Sequence, residues 1–306
     1  MESEGGSART IRLDLAYEGT RYHGFGLQPS RRTIQEVLEE ALARSLGERV
    51  RVTAAGRTDA GVHASGQVIG FATRGHLAPE TLVRAANAHL PDDVLVTAAA
   101  EMPPAWDARR SALRRHYRYH IWSHRLPSLW WRRWSWHLTD RPDLDAMNVA
   151  SAQLLGTHDF ASFLGHRSQE PAGRTTVRTV ERAQWWQEGD LLGFEIVANA
   201  FLRHMVRGIV GTLVEVGRGR LDPAHFGQIL ETRDRREAGP NAPPHGLILT
   251  GVDYPTAFER TRHKTEHEDR AKLVYPGPDG CLGDRTGGRS SVSRDAIGGR
   301  RATGVS

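Results

Sequence analysis

The pattern of apolar and polar positions divides the first part of the chain into alternating strands and helices. Residues 11–17 alternate between apolar and polar, which predicts a strand with one buried face. The tetrapeptide 33–36, Thr-Ile-Gln-Glu, is a capping box, and apolar residues then recur at helical spacing until Gly47 ends the helix. Further elements predicted before residue 90 are strands at 50–54 and 67–71 and a helix at 79–88.

A similar succession of elements begins again after residue 104. Hairpins without a regular βαβ repeat favour an α+β fold with helices on one face of each antiparallel sheet. The two similar halves predict a pseudo-symmetric arrangement with a cleft between the sheets. The elements predicted in the second half are strands at 111–122, 177–187 and 191–198 and helices at 143–155 and 201–216, the last ending at Gly217.

Composition sets the outer limits of these two units. We predict a flexible N-terminus at 1–8, an N-terminal α/β domain at 9–104 and a second α/β domain at 105–255. Residues 256–306 are rich in Gly, Ser and Arg and lack apolar periodicity, so we predict a disordered basic tail.

The charge is basic and is carried by arginine. Lys+Arg number 41 against 36 acidic residues, a net charge of +5, and every positive side chain before Lys264 is arginine. Arginine suits phosphates and bases, but genomic base composition produces the same bias, so nucleic-acid binding stays open. Cys281 is the only cysteine, which excludes an internal disulfide and favours a reducing cytoplasm. The sequence contains no run of 18 apolar residues, so we predict no membrane span. Its first ten residues are polar, so we predict no secretory signal.

One candidate for chemistry is Asp59, in the loop Gly56-Arg57-Thr58-Asp59-Ala60-Gly61 between two predicted strands. Two glycines permit a tight turn and a close backbone approach to a ligand. The alternative is a turn in which Asp59 only caps backbone N–H groups.

Three basic segments are further candidates. On a strand, Tyr117 shares a face with Arg115, and an aromatic ring beside arginines can stack on a base or lie in the core. Arg203 and Arg207 are four apart in the predicted helix at 201–216, so one face would offer two cations to an anion. Four tryptophans between 130 and 136 interleave with two arginines, which suits nucleic-acid stacking if exposed and packing if buried.

Other chemistries lack their motifs. The sequence contains no phosphate-binding Gly-x-x-x-x-Gly-Lys-Ser/Thr, no His-Glu-x-x-His and no Gly-x-Ser-x-Gly. The histidines have no metal-ligand spacing, so we predict no metal site.

The segments together resemble one family, the tRNA pseudouridine synthases of the TruA type. The most specific piece is Ala-Gly-Arg-Thr-Asp-Ala-Gly-Val-His-Ala at 55–64, followed by Gly-Gln-Val at 66–68. The resemblance extends from about residue 11 to residue 254. Supporting pieces are 17–20, 90–93, 107–109, 117–119, 156–160, 199–207, 242–244 and 246–247.

The resemblance implies the roles of the site residues. Asp59 would be the catalytic carboxylate, Tyr117 the tyrosine that stacks on the base, and Arg207 the arginine paired with Asp59. The residues that it implies for substrate binding are Tyr117, Arg57, Arg203 and His63.

The resemblance also implies a fold and partners. The family fold has two ferredoxin- or RRM-like α/β sandwich domains around a basic cleft, and the family acts as a homodimer on uridine in the anticodon stem-loop of tRNA. Because the reaction is an isomerisation without redox change or net hydrolysis, it implies neither cofactor nor metal.

One departure from the family pattern lies in the first loop. The family usually has Gly-Trp-Gln there, whereas this chain has Gly-Phe-Gly-Leu-Gln-Pro at 24–29. The change motivates an alternative, a catalytically weakened RNA-binding protein of the same fold. A hydrolytic glycosidase is a third hypothesis, but only Asp59 is a placed carboxylate.

Overall fold

A computed structural model describes residues 8–165 and 175–258. The predicted flexible N-terminus, apart from Ala8, and the predicted tail beyond residue 258 lie outside the described residues. Thr256–Phe258 form a short 3₁₀ turn, so the first three residues of the predicted tail are folded.

The first half of the chain contains four strands and two helices. Its elements are β1 (Arg9–Tyr17), α1 (Ile34–Leu46), β2 (Thr53–Ala54), β3 (His63–Thr73), α2 (Pro79–Asn87) and β4 (Val94–Met102). The capping box of α1 is confirmed: the Thr33 side chain accepts from the Glu36 N–H, and the Glu36 carboxylate accepts from the Thr33 N–H. Gly47 ends the helix in the left-handed conformation at φ 71°.

The second half contains six strands and three helices among the described residues. Its elements are β5 (Arg114–Ser123), β6 (Trp136–Leu138), α3 (Leu144–Ala152), β7 (Gly156–Asp159), β8 (Val177–Glu188), β9 (Leu191–Ala198), α4 (Met205–Gly217), α5 (Pro223–Thr232) and β10 (Leu247–Asp253). The sequence pattern missed β4, β6, β7, α5 and β10.

The α+β class predicted from sequence is confirmed, but the two halves share one sheet. The strand order is β4-β1-β3-β10-β5-β9-β8-β7, with β2 beside β3 and β6 beside β5. β10 pairs in parallel with β3 and antiparallel with β5, so it joins the halves edge to edge. The sheet is therefore mixed and continuous, whereas separate antiparallel sheets were expected.

β1 is buried on both faces, which corrects the prediction of a half-buried strand. Its apolar side chains pack into the main core, while Arg12 and Asp14 on the other face are also almost fully buried. The Arg12 Nε donates to Asp14 Oδ1 at 2.8 Å, and the guanidinium lies over the ring of Tyr254 at 5.0 Å. The polar face of the alternating pattern is thus covered, and its charges are paired.

One apolar cluster extends through both halves of the molecule. All five helices contribute to it, for example through Leu38, Leu82, Met147, Leu213 and Phe226, whose side chains are fully buried. A smaller cluster around Trp106 and Tyr254 covers the other face near β1. The strands that carry the candidate site are thereby held in a fixed register.

The apolar helix of the second half begins later than predicted. α4 starts at Met205, because His204 adopts the left-handed conformation at φ 64° and interrupts the run from Phe201. Gly211 of α4 lies against the backbone of 240–242, where a Cβ atom would come within 1.7 Å of the Pro240 carbonyl oxygen. This close approach fixes α4, and with it Arg207, against the segment that leads into β10.

Replacement of Gly211 by alanine tests this close approach. The added methyl group must displace α4 or the Pro240 backbone, and overpacking of this kind costs about 3 kcal/mol. The gain in helix propensity, about 1 kcal/mol, offsets only part of that cost. We expect a lower midpoint of urea unfolding with an unchanged slope; equal or greater stability of Gly211→Ala would contradict the geometry.

Candidate active site

The loop that carries Asp59 connects β2 to β3 and is held from several sides. The Thr58 carbonyl accepts from the Phe25 N–H at 3.0 Å, and the Thr58 hydroxyl bonds the Tyr17 hydroxyl at 2.8 Å. Gln67 donates from Nε2 to the Gly56 carbonyl at 2.7 Å. These hydrogen bonds fix the backbone before Asp59, and the Gly61 N–H, which donates to the Tyr22 carbonyl at 3.2 Å, fixes it afterwards; none of them uses the Asp59 carboxylate.

The first loop of the chain packs directly on the Asp59 loop. Gly24 has φ 91°, and a Cβ atom there would lie 2.7 Å from the Thr58 carbonyl oxygen. Phe25 is buried in the core, with its ring centroid 6.4 Å from that of Tyr17. Gly26 leaves room for the Arg57 side chain, whose Nε would lie 3.2 Å from an added Cβ. The departure from the family pattern is therefore accommodated by packing and leaves Asp59 in place.

The Asp59 carboxylate faces two basic side chains from the other half of the chain. Arg207 Nη1 lies 3.7 Å from Asp59 Oδ2, and His204 Nε2 lies 3.6 Å from Asp59 Oδ1. The Asp59 side chain is 23% exposed, so the site opens to solvent. Both separations exceed a hydrogen-bond length, so the oxygens keep free lone pairs. In the described part of the chain the carboxylate pairs with side chains, which does not support the backbone-capping alternative.

Arg207 is oriented by the segment before β10. Its Nε donates to the Ala242 carbonyl at 2.7 Å, and the Ala242 N–H donates to the Arg207 carbonyl at 2.9 Å. With Nε occupied, the terminal nitrogens point towards Asp59. The predicted pairing of Arg207 with Asp59 is thus present as an ion pair in which one donor is fixed by the backbone.

Tyr117 lies beside the Asp59 loop on β5. Its side chain is buried and packs edge-on against Phe201 at a centroid distance of 5.0 Å. Its hydroxyl would lie 4.0 Å from a Cβ atom at Gly56. Burial raises the pKa of Tyr117, and the nearby Tyr17 and Asp59 raise it further. The hydroxyl is therefore protonated at neutral pH and serves as a donor rather than a base.

Arg115, two residues before Tyr117, is a buried clamp that sequence reasoning did not single out for the site. Its guanidinium donates to the carbonyls of Ala55, Ala112, Asn199 and Arg109 at 2.8–3.2 Å. Ala55 begins the Asp59 loop, so the clamp ties this loop to β5. Burial lowers the pKa of Arg115.

The remaining predicted substrate residues separate into two groups. Arg57 and Arg203 are exposed; the Arg57 side chain lies along Gly26, and Arg203 lies in the turn before α4. Arg203 does not share a helical face with Arg207, because α4 begins only at Met205. The expectation of two arginines on one helical face is therefore wrong: Arg203 lies in the connection between β9 and α4, and Arg207 lies in the first turn of α4.

His63, the other predicted substrate residue, is fully buried. Its Nδ1 accepts from the Gly19 N–H at 3.0 Å, so Nε2 carries the hydrogen and donates towards the carbonyls of Arg133 at 2.9 Å and His245 at 3.1 Å. The ring lies 4.3 Å from that of Trp134. Both nitrogens are engaged within the chain, so this position corrects the expected substrate contact: His63 joins the two halves.

His204 is a site residue that the sequence analysis overlooked. Burial lowers the pKa of His204, Asp59 opposes this shift, and Arg207, Arg203 and Arg235 reinforce it. The sequence could have indicated His204 as a site residue, because it stands between Arg203 and Arg207 in the family segment 199–207. The assumption of an unbroken helix directed attention to the arginines instead.

The described residues contain neither a metal-binding cluster nor a membrane-spanning helix. No group of three or more His, Cys, Asp or Glu side chains in 8–165 and 175–258 is placed to hold a metal ion. Within the same ranges, no helix combines the length and apolar character required to cross a membrane.

A carboxylate that faces a guanidinium and an imidazole, beside a protonated tyrosine and open to solvent, suits attack on an electrophilic carbon of a polar ligand. The comparisons with known proteins agree with this class of site. A family model described as tRNA pseudouridine synthase matches residues 15–109 and 150–255. The tRNA pseudouridine synthase A of Pelobacter propionicus is 43% identical over 246 residues, which cover 80% of this chain and 100% of that protein. The protein of the same name from Chloroflexus aurantiacus is 47% identical over 259 residues, covering 82% of this chain and 91% of that protein.

The chain therefore belongs to the tRNA pseudouridine synthase family, a family of isomerases. The family resemblance found in the sequence is confirmed. Both segments of the family match include parts of the site: Asp59 lies in the first, and His204 and Arg207 lie in the second. Tyr117 lies between the two matched segments.

The buried neutral state of His63 predicts acid sensitivity of the fold. Burial lowers its pKa to about 4 from the ordinary 6.5, so the unfolded chain binds a proton at a higher pH than the folded one. The stability contribution is present above pH 6.5 and is lost as pH falls towards 4. Between pH 7 and pH 5 the loss from this residue is about 2 kcal/mol.

The measurement is the free energy of urea unfolding as a function of pH. His63→Gln cannot take up a proton, so its stability is expected to fall less steeply between pH 7 and pH 5 than that of the wild type. The variant starts from a lower stability because hydrogen bonds are lost. An identical pH dependence in both proteins would show that His63 does not carry the effect.

Proposed function

We propose that this protein isomerises uridine to pseudouridine in the anticodon stem-loop of tRNA and that Asp59 is the attacking carboxylate. The observation that carries the proposal is the placement of Asp59 between Arg207 and His204, beside Tyr117. Both partners come from the second half of the chain, so the site exists only when the halves are joined. The curated relatives with the name tRNA pseudouridine synthase A support the reaction.

The reaction requires one bond to break and one to form at the same sugar. The glycosidic C1′–N1 bond breaks, the base turns, and a C1′–C5 bond forms. The C5 proton then leaves, its electron pair restores the C5–C6 double bond, and N1 takes up a proton, so no proton is gained or lost overall. The bond that the carboxylate forms during the reaction is broken again, which returns Asp59 to its starting state. No electrons are exchanged with an oxidant, and water is not consumed. Attack by Asp59 on C1′ of the sugar or on C6 of the base both satisfy this balance, and both use the same free lone pairs.

The neighbours of Asp59 supply charge and shape. Arg207 directs the carboxylate, because its guanidinium Nη1 faces Asp59 Oδ2 at 3.7 Å. Tyr117 presents an aromatic ring and a protonated hydroxyl next to the Asp59 loop, which suits contact with the extruded base. Extrusion costs a few kcal/mol, and the cost is smaller in a loop than in a duplex.

The exposed arginines that flank the site suit the RNA backbone. Arg57 stands two residues before Asp59, and Arg203 directly precedes His204. Both are exposed, and the ion pairs of Asp59 in the described part of the chain are those with His204 and Arg207. Guanidinium groups bind phosphate oxygens in a bidentate manner. We propose these two residues as contacts to the nucleotides around the target uridine.

Two alternatives find less support. A weakened RNA-binding protein was motivated by the altered first loop, but Phe25 fills the core and Gly26 accommodates Arg57 without displacing Asp59. A hydrolytic glycosidase relies on a second carboxylate as its acid or base, whereas the side chains paired with Asp59 among the described residues are an imidazole and a guanidinium.

We also propose that the protein acts in the cytoplasm, where its tRNA substrate is used, and as a homodimer. An exposed apolar patch supports self-association: Leu126, Leu129 and Trp130 are 60%, 77% and 70% exposed. They lie between β5 and β6, where Trp131 is buried and anchors the segment. Large exposed aromatic and aliphatic side chains commonly form the centre of protein interfaces.

Asp59→Asn tests the catalytic proposal. The amide keeps the shape of the side chain but cannot act as the nucleophile, so pseudouridine formation on unmodified tRNA should fall by about 10⁴-fold or more. The affinity for tRNA should stay within a few-fold of that of the wild type. Asp145→Asn, the same change at an exposed position in the first turn of α3, serves as the control. Near wild-type turnover by Asp59→Asn would refute the assignment.

Trp130→Ser tests the proposed dimer surface. Sedimentation at a series of concentrations should show a wild-type dimer whose dissociation constant rises about 30-fold in the variant, because a central aromatic side chain contributes about 2 kcal/mol. An unchanged thermal midpoint would show that the fold is intact. A wild-type protein that stays monomeric, or a variant that dimerises as tightly, would contradict this surface.

A further inference from the structure

His204 has an unusual backbone for a residue beside the proposed nucleophile. It precedes α4 at φ 64° and ψ 1°, in the left-handed region that a β-carbon disfavours. Its side chain makes no helix-capping hydrogen bond, while its carbonyl accepts from the Gly208 N–H at 2.9 Å and closes the first turn. The backbone carbonyl of His204 thus starts the helix, and its imidazole takes no part in capping the helix.

The imidazole lies between Asp59 and Gly165. Its Nε2 is 3.6 Å from Asp59 Oδ1, and its Nδ1 is buried without a hydrogen-bond partner among the described residues. A Cβ atom at Gly165 would come within 2.2 Å of Nδ1, so only a glycine there leaves space for the ring. The Gly165 N–H donates to the Arg203 carbonyl at 2.9 Å and holds this surface against the turn.

These contacts determine which nitrogen carries the hydrogen. Within 8–165 and 175–258, a hydrogen on Nδ1 would be a buried donor without an acceptor, and the lone pair of Nε2 would then face the carboxylate lone pairs of Asp59. A hydrogen on Nε2 avoids both costs, because it points at Asp59 Oδ1 and leaves only an acceptor buried. The favoured form is the neutral ring with its hydrogen on Nε2.

We infer that His204 is a positioning residue: its neutral ring, with the Nε2 hydrogen facing Asp59 Oδ1 across 3.6 Å, orients that oxygen electrostatically, while Arg207 orients Oδ2 across 3.7 Å. The inference rests on the proposed role of Asp59. A neutral donor restrains the carboxylate but adds no second positive charge, so the nucleophile is aimed without being further neutralised. The strained backbone at His204 is the structural means that brings the ring to this place.

The charged groups around the ring define its dependence on pH. Asp59 faces it from the loop after β2, Arg207 from α4, Arg203 from the preceding turn, and Arg235 from the segment after α5. The three arginines and burial favour the neutral ring, and Asp59 alone favours the protonated one. At acid pH, protonation of His204 places a second cation against Asp59 and lowers its reactivity.

The variant His204→Gly distinguishes the effect of the imidazole ring from the effect of the left-handed backbone, because it removes the ring and permits the same backbone conformation. Glycine accepts φ 64° without a steric penalty, so the thermal midpoint should not fall, whereas kcat should drop by about 10- to 100-fold because Asp59 is less well aimed. The dissociation constant for tRNA should be unchanged. Ser30→Gly, which makes the same backbone change at an exposed residue with φ 55°, should keep the wild-type kcat.

His204→Gln provides the conservative rescue. Its side-chain amide can donate to Asp59 but cannot be protonated, so it should recover most of the lost kcat and shift the acid limb of the kcat profile to lower pH. Added imidazole should restore part of the activity of His204→Gly and leave the wild type unaffected. These readouts respond to the ring and would not respond to a purely structural role.

Two results would overturn the inference. One is wild-type kcat in His204→Gly with an unchanged pH profile. The other is an equal loss in the Gly and Gln variants without rescue by imidazole, which would assign the effect to the backbone. Either result leaves the proposed function intact as long as Asp59→Asn is inactive; an active Asp59→Asn would instead remove the proposed function.

Discussion

The ion pair between Asp59 and Arg207 is the interaction on which the rest of the structure depends. The carboxylate comes from a short loop in the first half of the chain and the guanidinium from a helix in the second half, so neither half contains the site alone. The pair is 3.7 Å apart, close enough to orient the carboxylate and long enough to leave lone pairs free. The fold must therefore hold two distant segments of sequence to within a fraction of an ångström.

Several features of the fold meet that requirement. β10 lies between β3 and β5, so the strand that follows the Asp59 loop and the strand that carries Tyr117 share one neighbour. Arg115 binds the carbonyl of Ala55 from β5, and the buried His63 bonds to segments from both halves. On the other side, the close approach of Gly211 to Pro240 fixes α4, while the Ala242 carbonyl fixes Arg207. Each of these contacts joins residues far apart in the chain.

Local pattern predicted the elements that local chemistry determines. The capping box at Thr33 and the stop at Gly47 gave the limits of α1 almost to the residue, because both signals act on adjacent backbone groups. The pattern missed β10, whose placement depends on strands more than a hundred residues away, and it missed β6 and β7, which are only three and four residues long. It also treated 201–216 as one helix, since nothing in apolar spacing reveals a left-handed residue at His204.

In the candidate site, too, the sequence identified some residues, whereas the placement of others depends on contacts with distant segments. Asp59, Tyr117 and Arg207 were identified through the family resemblance, and the structure brings them together. His63 belongs to the same sequence motif as Asp59, yet its ring is buried, because it lies at the start of β3, where Gly19, Arg133 and His245 engage both ring nitrogens. The partners of Arg12 and Asp14 on β1 were likewise beyond sequence reasoning, since an alternating pattern cannot show whether the polar face is covered by another segment.

The most direct test of the central claim is a crystal structure of the Asp59→Asn protein with unmodified substrate tRNA. The account predicts a uridine of the anticodon stem-loop extruded into the site, its base against Tyr117 and its reacting carbon about 3.5 Å from the side chain of residue 59. Arg57 and Arg203 would contact the adjoining phosphates. A target uridine bound away from residue 59, or still stacked in the RNA with the site empty, would contradict the account.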